Sequence, residues 1–150
     1  MFKHILVPVD GSSAAQLAVE KAMGLARAFD SRVSVMFVID PYPFTGVGSD
    51  FAYGQDAYLS AATAEANAAI QTARSVLEAA GVSVDTSVVE SHAVWRGVVQ
   101  TAESGQADLI VMGSHGRSGL ERLVLGSVTQ AVLSHTRLPV LVVRDVKAGD

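Results

Sequence analysis

Two places in this 150-residue chain group residues that could do chemistry. The first is Val9-Asp10-Gly11-Ser12-Ser13, where a short apolar run ends in a carboxylate, a glycine and two hydroxyls. The second is Gly113-Ser114-His115-Gly116-Arg117-Ser118-Gly119-Leu120-Glu121-Arg122-Leu123-Val124-Leu125-Gly126-Ser127, which holds four glycines between an apolar run and a helical pattern. A plain strand-to-helix turn needs about two to six residues. A longer one with spaced glycines fits a backbone that must come close to something, because glycine offers both φ > 0 and close approach. Gly126-Ser127 then opens a helix, whose first N–H groups and positive dipole end attract phosphate. Successive backbone N–H groups can form an anion-binding nest without a lysine.

Stepping outward from these residues, hydrophobic patterning places strands at 3–9, 32–39, 82–89, 108–112 and 139–144. Helical spacing covers 14–29, 56–80, 93–104 and 127–135. The first helix sets Leu17, Ala18, Met23, Leu25 and Ala26 on its apolar face, with Ser12 or Ser13 as cap. Gly81 is placed to stop the second helix. Between them, Asp40–Gly54 reads as a long loop with two prolines and three glycines, a lid or contact surface. Strands alternating with helices imply an α/β fold, a five-stranded parallel sheet in the order 3-2-1-4-5 with helices on both faces, a Rossmann-like three-layer sandwich. Residues 1–150 read as a single domain with a polar tail at about 146–150. In such a sheet, ligands sit beyond the carboxyl ends of the strands where the strand order reverses. Asp10 and Gly113 both lie at such ends.

Composition narrows the classes. Half the residues are hydrophobic (49%) and only 17% are charged, too apolar for disorder. The longest apolar runs fall short of the roughly 18 residues that a membrane span requires. The N-terminal run, broken by Pro8 and Asp10, reads as a strand and not as a signal peptide. There is no cysteine, so disulfides and thiolate metal sites are excluded, in keeping with a cytoplasmic location. A net charge of −4 gives no broad footprint for nucleic acid or an anionic membrane. His4, His92 and His135 lack the pairwise spacing of a zinc site. Glu90 and Glu103 pair with no other acid, so general acid–base chemistry is not indicated. Trp95 reads as a core or interface aromatic. The Walker pattern GxxxxGK[ST] is absent because its lysine is missing, and the dinucleotide pattern GxGxxG fails because the first turn has only Gly11.

What remains is Gly113-x2-Gly116-x9-Gly126-Ser127, preceded by DLIVMG. With ILVPVDGS at the start, FVID at the end of the second strand and HTRLPVLVVR near the C-terminus, the chain resembles the ATP-binding branch of the universal stress protein family over essentially its whole length. The resemblance implies an adenine nucleotide, ATP or else ADP or AMP. Pro8, Val9 and Asp10 would wall the adenosine, and Val38 would meet the adenine edge through its backbone. Met112 and Gly113 would line the ribose and α-phosphate. Gly116, Gly126, Ser127 and Val128 would present N–H groups to the phosphates, with His115 and Arg117 reaching the outer ones. Mg²⁺ could join the phosphates, with Asp10 as its protein candidate. The implied role is regulatory and nucleotide-dependent. Two alternatives stay open: slow ATP hydrolysis or phosphate transfer, and a nucleotide-free interaction protein. The histidine pair of related adenylyl-transfer enzymes is absent from the first turn. An apolar last strand at the sheet edge needs cover, and pairing with a second copy through 139–144 would supply it, as the resemblance also implies.

Overall fold

The computed structural model describes residues 1–41, 49–115 and 125–145, with only the backbone described for 49–53. In chain order the elements are β1 (His4–Pro8), α1 (Ser13–Phe29), β2 (Arg32–Ile39), α2 (Ser49–Ala79), β3 (Val84–Glu90), α3 (Val94–Ser104), β4 (Leu109–Gly113), α4 (Ser127–His135) and β5 (Val140–Val143). The strands form one sheet in the order β3-β2-β1-β4-β5, with every pairing parallel. Parallel neighbours require crossovers, and each crossover here is a helix.

Period-two alternation sorts the strand side chains into two cores. Ile5, Val7 and Val9 face one side with Val33, Val35, Leu109 and Val111, packing against α1 and α2. Leu6, Met36, Ile110 and Met112 face the other side with Val98, Val99 and Ala102 of α3 and Val132 of α4. Strands buried on both faces must be apolar at nearly every position, and HILVP in β1 and LIVMG in β4 are. The chain thus runs from β1 outward to β2 and β3, then returns to lay β4 on the other side of β1. The strand order reverses between β1 and β4.

One helix expectation is extended and another corrected. The buried stripe of α1 is Ala14, Ala15, Ala18, Val19, Ala22 and Ala26, and Leu17, Met23 and Leu25 pack against the same core while only partly buried. Small side chains there let α1 lie close against the sheet. The second helix starts at Ser49, not near Asp56, so residues 49–54 of the expected Asp40–Gly54 loop are helical, and residues 42–48 of it lie outside the described residues. Tyr58 Oη donates to the Asp40 carbonyl at 2.9 Å, tying α2 back to the end of β2. The other end of α2 closes as anticipated at Gly81, with φ +77°. Its N–H donates to the Glu78 carbonyl (2.9 Å), and that of Val82 to the Leu77 carbonyl (3.0 Å), satisfying two terminal acceptors.

Candidate functional site at the strand reversal

The turn after β1 is built by its own polar groups. Val9 N–H donates to the Met36 carbonyl at 2.8 Å, carrying the pairing one residue past the strand. Asp10 Oδ1 then accepts from Ser12 N–H at 2.9 Å. Gly11 sits at φ +83°, where a Cβ would be strained, and Ser12 Oγ caps α1 by accepting from Ala15 N–H at 3.2 Å. Asp10 therefore shapes the turn, and it also stands in the wall of a cavity.

That cavity, about 270 Å³, opens at the carboxyl ends of β1, β2 and β4. Pro8, Val9, Asp10, Val38, Met112, Gly113, His115 and Val128 all line it. The fold thus brings together eight of the residues singled out in the sequence. Val94 and Val98 of α3, Ser12 and Ala15 of α1, and Thr129 of α4 complete the lining and were not anticipated. The α3 residues carry no motif; only the crossover from β3 to β4 brings them there. The capping signal of Ser12 did mark its turn. Gly126 and Ser127 do not line the cavity but open α4 immediately beside Val128. Gly116 and Arg117 lie outside the described residues.

The start of α4 is anchored to the end of β4. Gly126 N–H donates to the Ser114 carbonyl at 2.8 Å, so this amide, expected to face a phosphate, has a protein partner. Thr129, 2% exposed, donates through Oγ1 to the Gly113 carbonyl at 2.9 Å and approaches that of Ser114 at 3.3 Å. Ser114 N–H in turn donates to the Val143 carbonyl at 2.8 Å. The first α-type bond of the helix runs from Gln130 N–H to the Gly126 carbonyl, and Gly126, as the N-cap, brings no capping side chain. The amides of Ser127 and Val128 precede that bond and project from a positive dipole end beside the cavity.

Gly113 has a packing reason of its own. A Cβ there would lie 2.8 Å from Ala14 Cβ and 3.0 Å from the Ala14 carbonyl carbon, so glycine lets α1 pass over β4. Gly97 does the same for α3, since its Cβ would come within 3.1 Å of Val38. Two polar atoms near the site have no hydrogen-bond partner among the described residues: Ser114 Oγ, fully buried, and His115 Nε2, whose residue lines the cavity.

The remaining histidines resolve into structural contacts where partners are seen. His4, at the amino end of β1, bridges Ser34 Oγ (2.6 Å) and Arg32 Nη2 (3.2 Å). His135 stacks on Trp95 with centroids 4.0 Å apart, joining α4 to α3. No group of three or more His, Asp or Glu among the described residues could hold a metal ion. Asp10 is the one carboxylate among the described residues that line the cavity, so these supply a single anionic ligand there. That suits Mg²⁺ carried on phosphate oxygens and not a cation held by protein alone.

Comparison with known proteins agrees with this architecture. The model of the Universal stress protein family matches residues 1–144. Universal stress protein MJ0531 of Methanocaldococcus jannaschii is 35% identical over 98% of this chain and 85% of its own length. The solved structure of MJ0577, from the same organism, superposes with a TM-score of 0.84 at 30% identity and covers 99% of both chains. More distant solved structures share the fold, among them a universal stress protein in complex with cAMP (TM-score 0.68, 24% identity, 95% of this chain and 97% of that one). Another comes from Archaeoglobus fulgidus, in complex with dAMP (TM-score 0.68, 20% identity, 96% and 98%). The chain belongs to the universal stress protein family.

Proposed function

We propose that the cavity at the β1/β4 reversal binds an adenine nucleotide, ATP in the first instance, and that the bound state is a regulatory signal. The observation that carries this reading is the junction of two unlike surfaces at one crevice. Val38, Val94, Val98 and Met112 offer an apolar slot for a planar base. Beside it, Asp10 can accept from ribose hydroxyls, and the start of α4 offers the amides of Ser127 and Val128 to phosphate. His115 Nε2, buried and without a partner among the described residues, is our candidate for an outer phosphate oxygen. Relatives on this fold that carry cAMP and dAMP support an adenine ligand.

Binding accounts for more of the site than turnover does. Rapid phosphoryl transfer needs a positioned base, a cation on the transferred group and firmly held Mg²⁺. Among the described residues the cavity lining contains one carboxylate and no lysine or arginine, while Arg117 lies outside them. Mg²⁺, when present, would enter on the nucleotide phosphates and neutralise them, with Asp10 as its nearest protein candidate. We place the protein in the cytoplasm as a homodimer paired through β5, whose outer edge bonds to no strand in the sheet and exposes Leu141. No helix among the described residues is long and apolar enough to cross a membrane.

Mass spectrometry of small molecules released by heating the purified protein tests the reading directly. An adenine nucleotide at near-stoichiometric yield, with calorimetric rebinding of ATP, is the expected result. A protein that is isolated empty and shows no calorimetric heat with ATP, ADP or AMP would leave the interaction-protein alternative standing.

A further inference from the structure

A second cavity, about 370 Å³, lies between α1 and α2, on the face of the sheet away from α3 and α4. Its volume falls within the range of small-molecule sites. It exists because the two helices meet through small residues: Ala69 and Ala73 of α2 face Val19 of α1, and no long apolar side chain fills the gap. Its floor is apolar, with Val19 and Ala73 buried in the main core. Among the described lining residues the ionisable groups are Glu20 from α1 and Glu65 from α2, neither of them basic, and Glu65 has a partner of its own. Glu20 is exposed at the rim and makes no hydrogen bond or ion pair with another described residue.

Beside the neutral polar groups of Ser12, Gln16 and Thr72, the one unpaired charge among the described lining residues is that of Glu20, so the slot selects by charge. Phosphates and other anions are repelled, and a neutral hydrocarbon gains nothing from the rim. An organic cation gains from both parts, burying its body on Val19, Ala69 and Ala73 while its ammonium stays near water beside Glu20. We infer that this cavity is a second small-molecule site, for a compact amine with an apolar body. The inference does not rest on nucleotide binding, since only the outer wall at Val9, Ser12 and Ala15 is common to the two cavities.

The test is nuclear magnetic resonance titration of the ¹⁵N-labelled full chain, without nucleotide, using phenethylamine and its anionic counterpart 3-phenylpropionate. Phenethylamine should shift the amides of residues 16–20 and 65–73 saturably, and 3-phenylpropionate should leave them unmoved. Glu20→Gln should weaken the amine about three- to fivefold, as expected for one exposed ion pair. Ala68, an exposed lining residue, gives a blocking variant that leaves the core alone: Ala68→Phe should abolish the shifts with helix content unchanged. Absence of saturable amine binding overturns the proposal. So does equal binding of the two probes, or amine binding that survives Ala68→Phe.

Discussion

The backbone N–H of Gly126 donates to the carbonyl of Ser114 across 2.8 Å, joining the residue before α4 to the residue after β4. With Thr129 Oγ1 on the Gly113 carbonyl, it sets the helix start against the strand end. The start of α4 is therefore tied to β4, and with the Gly126 amide engaged there, the proposed phosphate contacts fall to amides beyond it, such as those of Ser127 and Val128.

Thr129→Val tests that anchoring. The substitution keeps the shape and removes the hydroxyl from a site that is 2% exposed, leaving the Gly113 carbonyl without this donor. Stability in urea should fall by about 1 to 3 kcal/mol, the cost of a buried hydrogen bond left half made. ATP affinity measured under native conditions should fall as well, since one of the bonds that hold α4 against β4 is lost. A variant as stable as the parent would show that the two carbonyls are satisfied otherwise.

Gly113→Ala separates packing from ligand approach. If the glycine serves α1, the new methyl should destabilise the nucleotide-free protein by about 1 to 3 kcal/mol, the usual cost of overpacking. Adding Ala14→Gly removes the 2.8 Å contact and should restore part of the loss, though the Ala14 carbonyl carbon at 3.0 Å remains. Denaturation curves of the single and double variants without nucleotide decide it. A fully stable Gly113→Ala that binds ATP poorly would return this glycine to the ligand.

Much of this was legible in the residues, for identifiable reasons. Strands buried on both faces appear as uninterrupted apolar runs, so IVM in β4 stood out, and VLVV in the half-covered edge strand β5 reads the same way. The start of α4 at Ser127 was equally plain. The early start of α2 was hidden because Gly54 and its aromatic neighbours read as loop, while the Tyr58–Asp40 bond that ties the helix back is tertiary. At Gly113 the spacing was noticed, but its packing cause, Ala14, is ninety-nine positions away along the chain and becomes adjacent only when α1 crosses β4. Val94 and Val98 escaped for the same kind of reason: a valine on a helix carries no sign of which cavity it will line.

Leu141→Asp addresses assembly. Leu141 is 40% exposed on β5, which pairs with β4 alone. A carboxylate there would be buried without a partner in any pairing through this edge. Sedimentation should show a shift from dimer toward monomer, with circular dichroism unchanged because the side chain is already half exposed. An intact dimer would move the interface elsewhere.

Gly126→Val is the strongest test of the nucleotide reading, because its backbone removes the usual objection. Gly126 has φ −64° and ψ 159°, extended geometry open to any L-residue, so the turn itself does not require glycine. A folded Gly126→Val is therefore expected, with its N–H still able to reach Ser114. The isopropyl group would stand at the mouth of α4, beside the amides assigned to phosphate. ATP affinity by calorimetry should drop about tenfold or more, at least about 1.4 kcal/mol. Ser127→Ala removes only a hydroxyl and keeps the amide, so it should weaken ATP by about 1 to 3 kcal/mol if that hydroxyl meets a charged phosphate. Adenosine, which lacks the phosphates, should bind all three proteins alike. If Gly126→Val binds ATP like the parent, phosphate does not sit at α4, and the nucleotide reading loses its anionic half.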